Sequence, residues 1–180
     1  VIPGQTYYYV VSANTEEGES LDSDEAVPAI VSTYLKFDET SGTIAYDATG
    51  NGRHGTLVNG PTWGNGRFSN AVYLDGSNDR VTLPTGVVNG LTDFTISTWV
   101  YLNAASQWSR VFDFGTDTTN YMFLTPQANS GFVRFAIRTP SVSEQVINGT
   151  AALPTEQWTH VAVTLGGGTG VLYVNGSEVG

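Results

Sequence analysis

The sequence contains no cysteine and little charge, and each absence excludes kinds of function. Without cysteine, disulfide scaffolds and thiolate metal sites are excluded. Charged residues make up 13% of the 180 residues, roughly half the usual share of a globular domain. Seven Lys and Arg stand against 17 Asp and Glu, which gives a formal net charge of −10. Because nucleic acids and anionic membranes are bound through clusters of Lys and Arg, neither is expected as a partner.

Long apolar runs and helical periodicity are also lacking. No stretch of the sequence is apolar enough to span a bilayer, so we expect no membrane insertion. Instead, short segments alternate between apolar and polar residues and are separated by turns rich in the 21 glycines. "DFTISTWVYL" (93–102) shows this alternation, as do "RVFDFG", "YMFLT", "FVRFAIR", "EQVI", "THVAVTL" and "GVLYVNG".

Many short strands with glycine-rich turns predict an all-β fold, a two-sheet antiparallel β-sandwich of the jelly-roll kind. Since side chains on a strand alternate between its two faces, the pattern also predicts which ones lie between the sheets. The predicted core residues are Ile96, Val100, Phe112, Phe135, Val161 and Val163.

A domain boundary is predicted near residue 30. Residues 1–29 carry six acidic residues and no Lys or Arg. Their segments "GQTYYYVVSANTEEGES" and "SDEAVPA" resemble the C-terminal tail of a fibronectin type III domain. We therefore predict a tail fragment over 1–29 and a separate domain over 32–180.

The second predicted domain resembles the laminin-G-like, concanavalin A-like jelly roll of bacterial secreted proteins. The resemblance rests on blocks in order: "YLKFDETSGTIAYDATGNGRHGTLVNGPTW", "NAVYLDGSNDRVTLP", "FTISTWVYL", "WSRVFDFG", "YMFLTP", "QWTHVAVTL" and "LYVNG". Family members continue past the "VNG" turn with further strands, so the C-terminal strands are expected to be missing here. That would leave an exposed sheet edge and a fragment that is poorly stable or self-associating.

Enzymatic catalysis is not predicted. The resemblance extends to laminarinase-type hydrolases, which place acids as Glu-x-Asp-x-x-Glu on one strand. The nearest match, "ESLDSDE" (19–25), lies in a turn of the tail, and "FDFG" offers only Asp113. His54 and His160 lack the spacing of a zinc site, and His160 is interpreted as a packed sheet histidine.

Two loops are candidates for structural calcium. "DATGNG" (47–52) and "LDGSNDR" (74–80) offer the oxygen ligands that calcium prefers, and the resemblance brings them to the same region of the sandwich. The candidate ligands are Asp47, Asn51, Asp75 and Asp79. Asp and Asn also favour such turns without a metal, so an ordered, metal-free loop remains the alternative.

Aromatic side chains suggest the ligand. Sugar rings stack on Trp and Tyr, and polar side chains bind their hydroxyls. Trp63 and Trp108 lie in turn-like contexts, whereas Trp99 and Trp158 are assigned to structural packing. The candidate ligand-binding residues are Trp63, Trp108, Tyr121, Arg134 and Arg138.

The predicted function is a non-catalytic carbohydrate-binding accessory module of a secreted or cell-surface multidomain protein that acts on polysaccharides. Its partners would be a neutral polysaccharide and the neighbouring domains of the parent protein. The alternative is an adhesive or spacer module with a protein partner or no ligand.

Overall fold

The computed structural model describes residues 31–180 and, before them, two short paired strands, β1 (Asn14–Thr15) and β2 (Gly18–Glu19). The fibronectin-like tail predicted for 1–29 otherwise lies outside the described residues. Within 31–180 every regular element is a β-strand and no helix occurs.

The described residues fall into two compact units. The first comprises those up to Trp63 together with Val72–Val87, and the second comprises Gly64–Ala71 and Val88–Gly180. The first unit holds a three-stranded antiparallel sheet in the order β3-β4-β7. Two further strands, β5 and β6, pair with each other. The bounds are β3 (Ile44–Ala45), β4 (Gly55–Val58), β5 (Thr62–Asn65), β6 (Asn70–Tyr73) and β7 (Arg80–Thr82).

The second unit holds two four-stranded antiparallel sheets. One, the β9–β12 sheet, has the order β12-β11-β10-β9, and the other, the β8/β13–β15 sheet, has the order β15-β14-β13-β8. The bounds are β8 (Phe94–Tyr101), β9 (Phe112–Asp117), β10 (Asn120–Thr125), β11 (Arg134–Thr139), β12 (Val142–Asn148), β13 (Trp158–Gly166), β14 (Thr169–Val174) and β15 (Ser177–Glu178).

The core of the second unit lies between these two sheets, because each strand buries its alternate apolar residues. The buried cluster consists of Met122, Leu124, Val133, Phe135, Leu153, Val161, Val163 and Leu172. Ile96, Val100 and Phe112 are partly buried and pack against it. The predicted two-sheet antiparallel sandwich is therefore confirmed, and it is consistent with a jelly roll.

At the C-terminal end, β15 pairs with β14. Beyond β15, the Leu172 N–H donates to the carbonyl of Gly180 and the Val179 N–H donates to that of Leu172, at 2.8 and 2.9 Å. The expectation that further strands are missing, and that an edge is exposed in their place, stays a prediction.

Candidate ligand-binding face

The alternation that fills the core also determines which side chains the β9–β12 sheet turns outward. In β10, Met122 and Leu124 belong to the core cluster, so Tyr121, Phe123 and Thr125 lie on the other side of the sheet. We call that side, with the loop that follows β8, the outer face. Its aromatic and polar members are Trp108, Arg110, Asp113, Tyr121, Phe123, Arg134, Arg138, Glu144 and Asn148.

The strand register aligns these side chains in rows across the sheet. Tyr121 pairs with Gly115 on β9 and with Arg138 on β11. A Cβ at Gly115 would lie 2.9 Å from the Tyr121 Cβ, so glycine leaves the room that the tyrosine needs. At the other end of β10, Thr125 pairs with Arg134. The two arginines are therefore at opposite ends of the outer face.

Trp108 is fixed in the loop between β8 and β9 while its ring stays partly open to solvent. Its backbone is left-handed, with φ of 62°, a conformation that costs about 1–3 kcal/mol and persists only when the surroundings enforce it. The backbone N–H donates to the Gln127 carbonyl at 2.9 Å, and the indole Nε1–H donates to Asn129 Oδ1 at 2.8 Å. The residue is 37% exposed. The loop thus presents a rigid aromatic surface.

Two further aromatic rings lie beside Trp108. Its ring meets Phe123 edge-on, with centroids 6.4 Å apart, and Tyr121 stacks on Phe123 at 5.7 Å. The Tyr121 hydroxyl donates to Glu144 Oε1 at 2.6 Å. This hydrogen bond to a carboxylate raises the pKa of Tyr121 above its ordinary value.

A cleft of about 390 Å³ opens beside these rings, lined by Arg110, Asp113, Asp117, Thr118, Tyr121 and Phe123. The Arg110 guanidinium lies 4.0 Å from the Phe123 ring centroid, and its Nε pairs with Asp113 at 3.0 Å. Hydrogen bonds from the Thr119 hydroxyl and backbone N–H lower the pKa of Asp117. The cleft therefore combines charged acceptors with an aromatic wall.

Four of the five predicted ligand-binding residues share the outer face. Arg134 Nε donates to Asn148 Oδ1 at 2.8 Å, and its Cζ lies 5.8 Å from the Trp108 ring centroid. Arg138 Nη1 donates to the Thr118 carbonyl at 3.3 Å. Trp63 is not one of this group, because it lies in the first unit, half-buried, and its indole N–H donates to the Gly42 carbonyl at 2.9 Å.

Sequence reasoning missed several members of the outer face, among them Arg110, Phe123, Glu144 and Asn148. Phe123 could have been predicted from the sequence, because it lies between Met122 and Leu124 and therefore faces the other side of the strand. The neighbours of Arg134 and Tyr121 come from β12, however, and are 14 and 23 residues away in the chain. No local pattern in the sequence reports that register.

The loop at 47–54 is organised around the buried carboxylate of Asp47, which is 7% exposed. Its two oxygens accept hydrogen bonds from four donors: the Tyr34, Thr49 and Arg53 N–H groups at 3.0–3.1 Å, and the Thr49 hydroxyl, which lies 2.8 Å from both oxygens. The Asp47 N–H in turn donates to His54 Nδ1 at 3.0 Å. These donors, the Tyr34 N–H foremost, hold the pKa of Asp47 far below its usual range.

The other candidate metal ligands lie around this loop and the next. The Asn51 amide donates to the Ser32 carbonyl at 3.0 Å. In the second loop, Asp75 Oδ1 accepts from the Ser77 N–H, and Asp79 Oδ2 accepts from the Asp75 N–H. Across residues 31–180, no three His, Cys, Asp or Glu side chains are grouped so that they could hold a metal ion. The oxygens of Asp47 already accept hydrogen bonds from four protein donors, and calcium stays a prediction that chelation can test.

The outward side of the β8/β13–β15 sheet, here called the opposite face, carries a second group of rings. Trp99 packs against Arg67, Phe68 and His160, with the Arg67 Cζ 3.9 Å from its ring centroid. Trp158 meets Tyr101 edge-on at 5.7 Å. Trp99 and Trp158 pack as the sequence suggested, but on this surface rather than in the core. His160 contacts Trp99 there.

The part of the chain that carries the outer face matches a known family. A profile of the concanavalin A-like lectin/glucanases superfamily matches residues 75–180. A search of curated protein sequences found no significant match. Among the described residues, no helix has the length and apolar character needed to cross a membrane.

The solved structures that are similar to this chain include the following two. One is an S-layer domain-containing protein (residues 221–444) from Clostridium thermocellum, 37% identical, with a TM-score of 0.56 over 82% of this chain and 70% of that one. The other is domain 4 of AbnA, a GH43 extracellular arabinanase from Geobacillus stearothermophilus, in complex with arabinotriose. It is 24% identical, with a TM-score of 0.69 over 82% of this chain and 72% of that one. By the profile match over more than half its length, the chain belongs to the concanavalin A-like lectin/glucanase superfamily.

Proposed function

We propose that this chain is a non-catalytic carbohydrate-binding module of a secreted or cell-surface multidomain protein that acts on polysaccharides. The observation that carries the proposal is Trp108, a ring held by its backbone and its indole N–H and still 37% exposed. Beside it lies the polar, aromatic cleft that Tyr121 and Phe123 line. We assign sugar binding to the outer face.

The chemistry of the outer face suits a sugar chain. The apolar C–H surface of a pyranose or furanose ring stacks on Trp and Tyr, and its hydroxyls need both donors and acceptors. Trp108 would provide the stacking surface. Asp117 and Thr118 provide oxygens in the cleft, and Arg110 provides N–H groups. Because these side chains are already held by hydrogen bonds within the protein, little conformational entropy is lost when a ligand binds.

The similar structures support this proposal at the level of context. One is an S-layer domain-containing protein, and the other is a domain of an extracellular arabinanase in complex with arabinotriose. Since the arabinanase domain is under 25% identical to this chain, it shows the fold and does not identify the sugar.

An adhesive or spacer module is the second candidate. The 37% identity to an S-layer domain-containing protein favours it, and the opposite face carries an exposed aromatic ring, Phe68, at 80% exposure. An adhesive module would bind a protein through such a surface, and a spacer would bind nothing. Neither would need the fixed ring of Trp108.

A pulldown of the purified chain on polysaccharides tests the proposal. The panel contains arabinan, xylan, cellulose, galactan and polygalacturonate, each at about 50 and 500 mM salt. We expect retention on at least one of them, with an affinity in the weak range typical of a few stacked rings. If none retains the protein at millimolar sugar concentrations, the carbohydrate proposal is wrong and the spacer or adhesive candidate takes its place.

A further inference from the structure

Around Arg134, the Trp108 end of the outer face offers mainly hydrogen-bond donors. The indole Nε1–H of Trp108 can only donate, so its bond at 2.8 Å fixes the amide oxygen of Asn129 toward the ring. The Nε–H of Arg134 can likewise only donate, and it fixes the amide oxygen of Asn148 in the same way. In both asparagines the side-chain oxygen therefore accepts a hydrogen bond from the protein, and the NH₂ group remains available as a donor.

The guanidinium of Arg134 is also left with donors to spare. Its Nε is bound to a neutral amide, and within residues 31–180 its two Nη groups make no hydrogen bond and no ion pair to the protein. Its Cζ lies 5.8 Å from the Trp108 ring centroid. A cation is thus held beside the proposed stacking surface without a carboxylate partner.

Elsewhere on the outer face the arginines lie beside carboxylates. Arg110 pairs with Asp113 at 3.0 Å and donates through Nη1 to the Trp108 carbonyl at 2.7 Å, and Arg138 lies near the Tyr121–Glu144 hydrogen bond. Positive and negative groups balance around these two arginines, which suits the hydroxyls of a neutral sugar. The unpaired hydrogen-bond donors around Arg134 suit a ligand group that can only accept hydrogen bonds.

We propose that the Trp108 end binds the carboxylate of an acidic sugar residue, a uronic acid within the glycan. The two Nη groups of Arg134 match the two oxygens of a carboxylate in a planar, bidentate arrangement. The amide NH₂ groups of Asn129 and Asn148 add neutral donors beside it. This inference rests on the proposed function and replaces the neutral ligand that the net charge of −10 suggested. Asp113, which Arg110 brings close to Trp108, is already paired with that arginine, and charges more than about 10 Å away are screened at ordinary salt.

The test compares the binding of three soluble glycans: polygalacturonate oligosaccharides, the same oligosaccharides after complete methyl esterification, and a sulfated galactan of similar length. Esterification removes the negative charge and keeps the ring. We expect the acid form to bind about tenfold more tightly than the ester, because a charge-assisted hydrogen-bonded pair is lost. We expect the sulfated galactan to bind no better than the acid form, since its tetrahedral anion is bulkier than a carboxylate and is held on a different sugar ring.

Arg134→Gln should lower the affinity for the acid form to that for the ester. It should leave the affinity for the ester unchanged within about twofold. Arg80→Gln is the matched control. It removes the same charge from an exposed position on β7 in the first unit and should keep the tenfold preference. Melting curves of both variants show that they fold.

Each outcome decides the inference. Equal binding of acid and ester by the parent, or a preference that survives in Arg134→Gln, overturns it while leaving the carbohydrate proposal intact. Tighter binding of the sulfated galactan than of the acid form overturns the assignment to a uronic acid. Binding of none of the three glycans, nor of any neutral one, overturns the proposed function itself.

Discussion

Asp47→Asn is expected to lower the melting temperature by several degrees at neutral pH. The change keeps the size of the side chain but turns one acceptor oxygen into an NH₂ group. That group would face the Arg53 N–H and the Thr49 hydroxyl, both of which now donate to Oδ2. A buried donor left without an acceptor is destabilising, and here the damage falls on the loop that Asp47 ties to Tyr34.

The same variant should change the response to acid. The folded-state pKa of Asp47 lies below its ordinary value of 3.8, so its carboxylate stabilises the fold at every pH above about 4. This contribution is lost as the pH falls from there through the folded-state pKa. Asn cannot titrate, so the melting temperature of Asp47→Asn should fall less steeply below pH 4 than that of the parent. Thermal melts between pH 2 and pH 7 measure both slopes.

The Asp75→Asn variant and a chelator distinguish between two explanations of the Asp47 loop, hydrogen bonding within the protein and calcium binding. Asp75 is exposed, and its Oδ1 accepts one backbone hydrogen bond, from Ser77, so its replacement should shift the melting temperature by a degree or less. If hydrogen bonds within the protein alone hold the Asp47 loop, excess chelator should leave the melting temperature of the parent unchanged. If chelator lowers the melting temperature of the parent, and Asp75→Asn does the same, the two loops share a calcium ion and the hydrogen-bonded account of Asp47 is wrong.

Trp108→Ala should weaken glycan binding by about tenfold, which corresponds to about 1.4 kcal/mol. Aromatic anchors dominate the energetics of such interfaces, and the loss of a rigid ring is not offset by other contacts. The fold should survive, because Trp108 lies in a loop and outside the core cluster. Isothermal titration with whichever oligosaccharide the polysaccharide panel identifies measures the change.

Phe68→Ala is the control for Trp108→Ala. Phe68 is 80% exposed and contacts Trp99 on the opposite face, so removing its ring deletes an exposed aromatic surface away from the outer face. The affinity of Phe68→Ala for the glycan should remain within twofold of that of the parent. A loss in Phe68→Ala with none in Trp108→Ala would move the binding site to the opposite face.

The sequence predicted the fold well because alternation is a local signal. Val161 and Val163 lie two apart in one strand, and burial of one implies burial of the other. The same reasoning placed Arg134 and Arg138 on one side of β11, away from Phe135.

The parts that the sequence could not predict depend on contacts between distant segments. Asn129 meets the Trp108 indole from another loop, and Asn148 meets Arg134 through the β11–β12 register. Trp63 and Trp108 occupy similar turn-like contexts in the sequence. Only the structure shows that the indole of Trp63 is bound to the Gly42 carbonyl in the first unit.

The central claim is that a glycan binds over Trp108 on the outer face, and the tryptophan indole N–H signals of the ¹⁵N-labelled protein test it most directly. The chain has four tryptophans, so four signals report on four positions in one uncrowded region of the spectrum. Titration with the bound oligosaccharide is predicted to shift the Trp108 signal most, with the Trp63, Trp99 and Trp158 signals moving little. A largest shift at any of those three, with Trp108 unmoved at saturation, would contradict the claim.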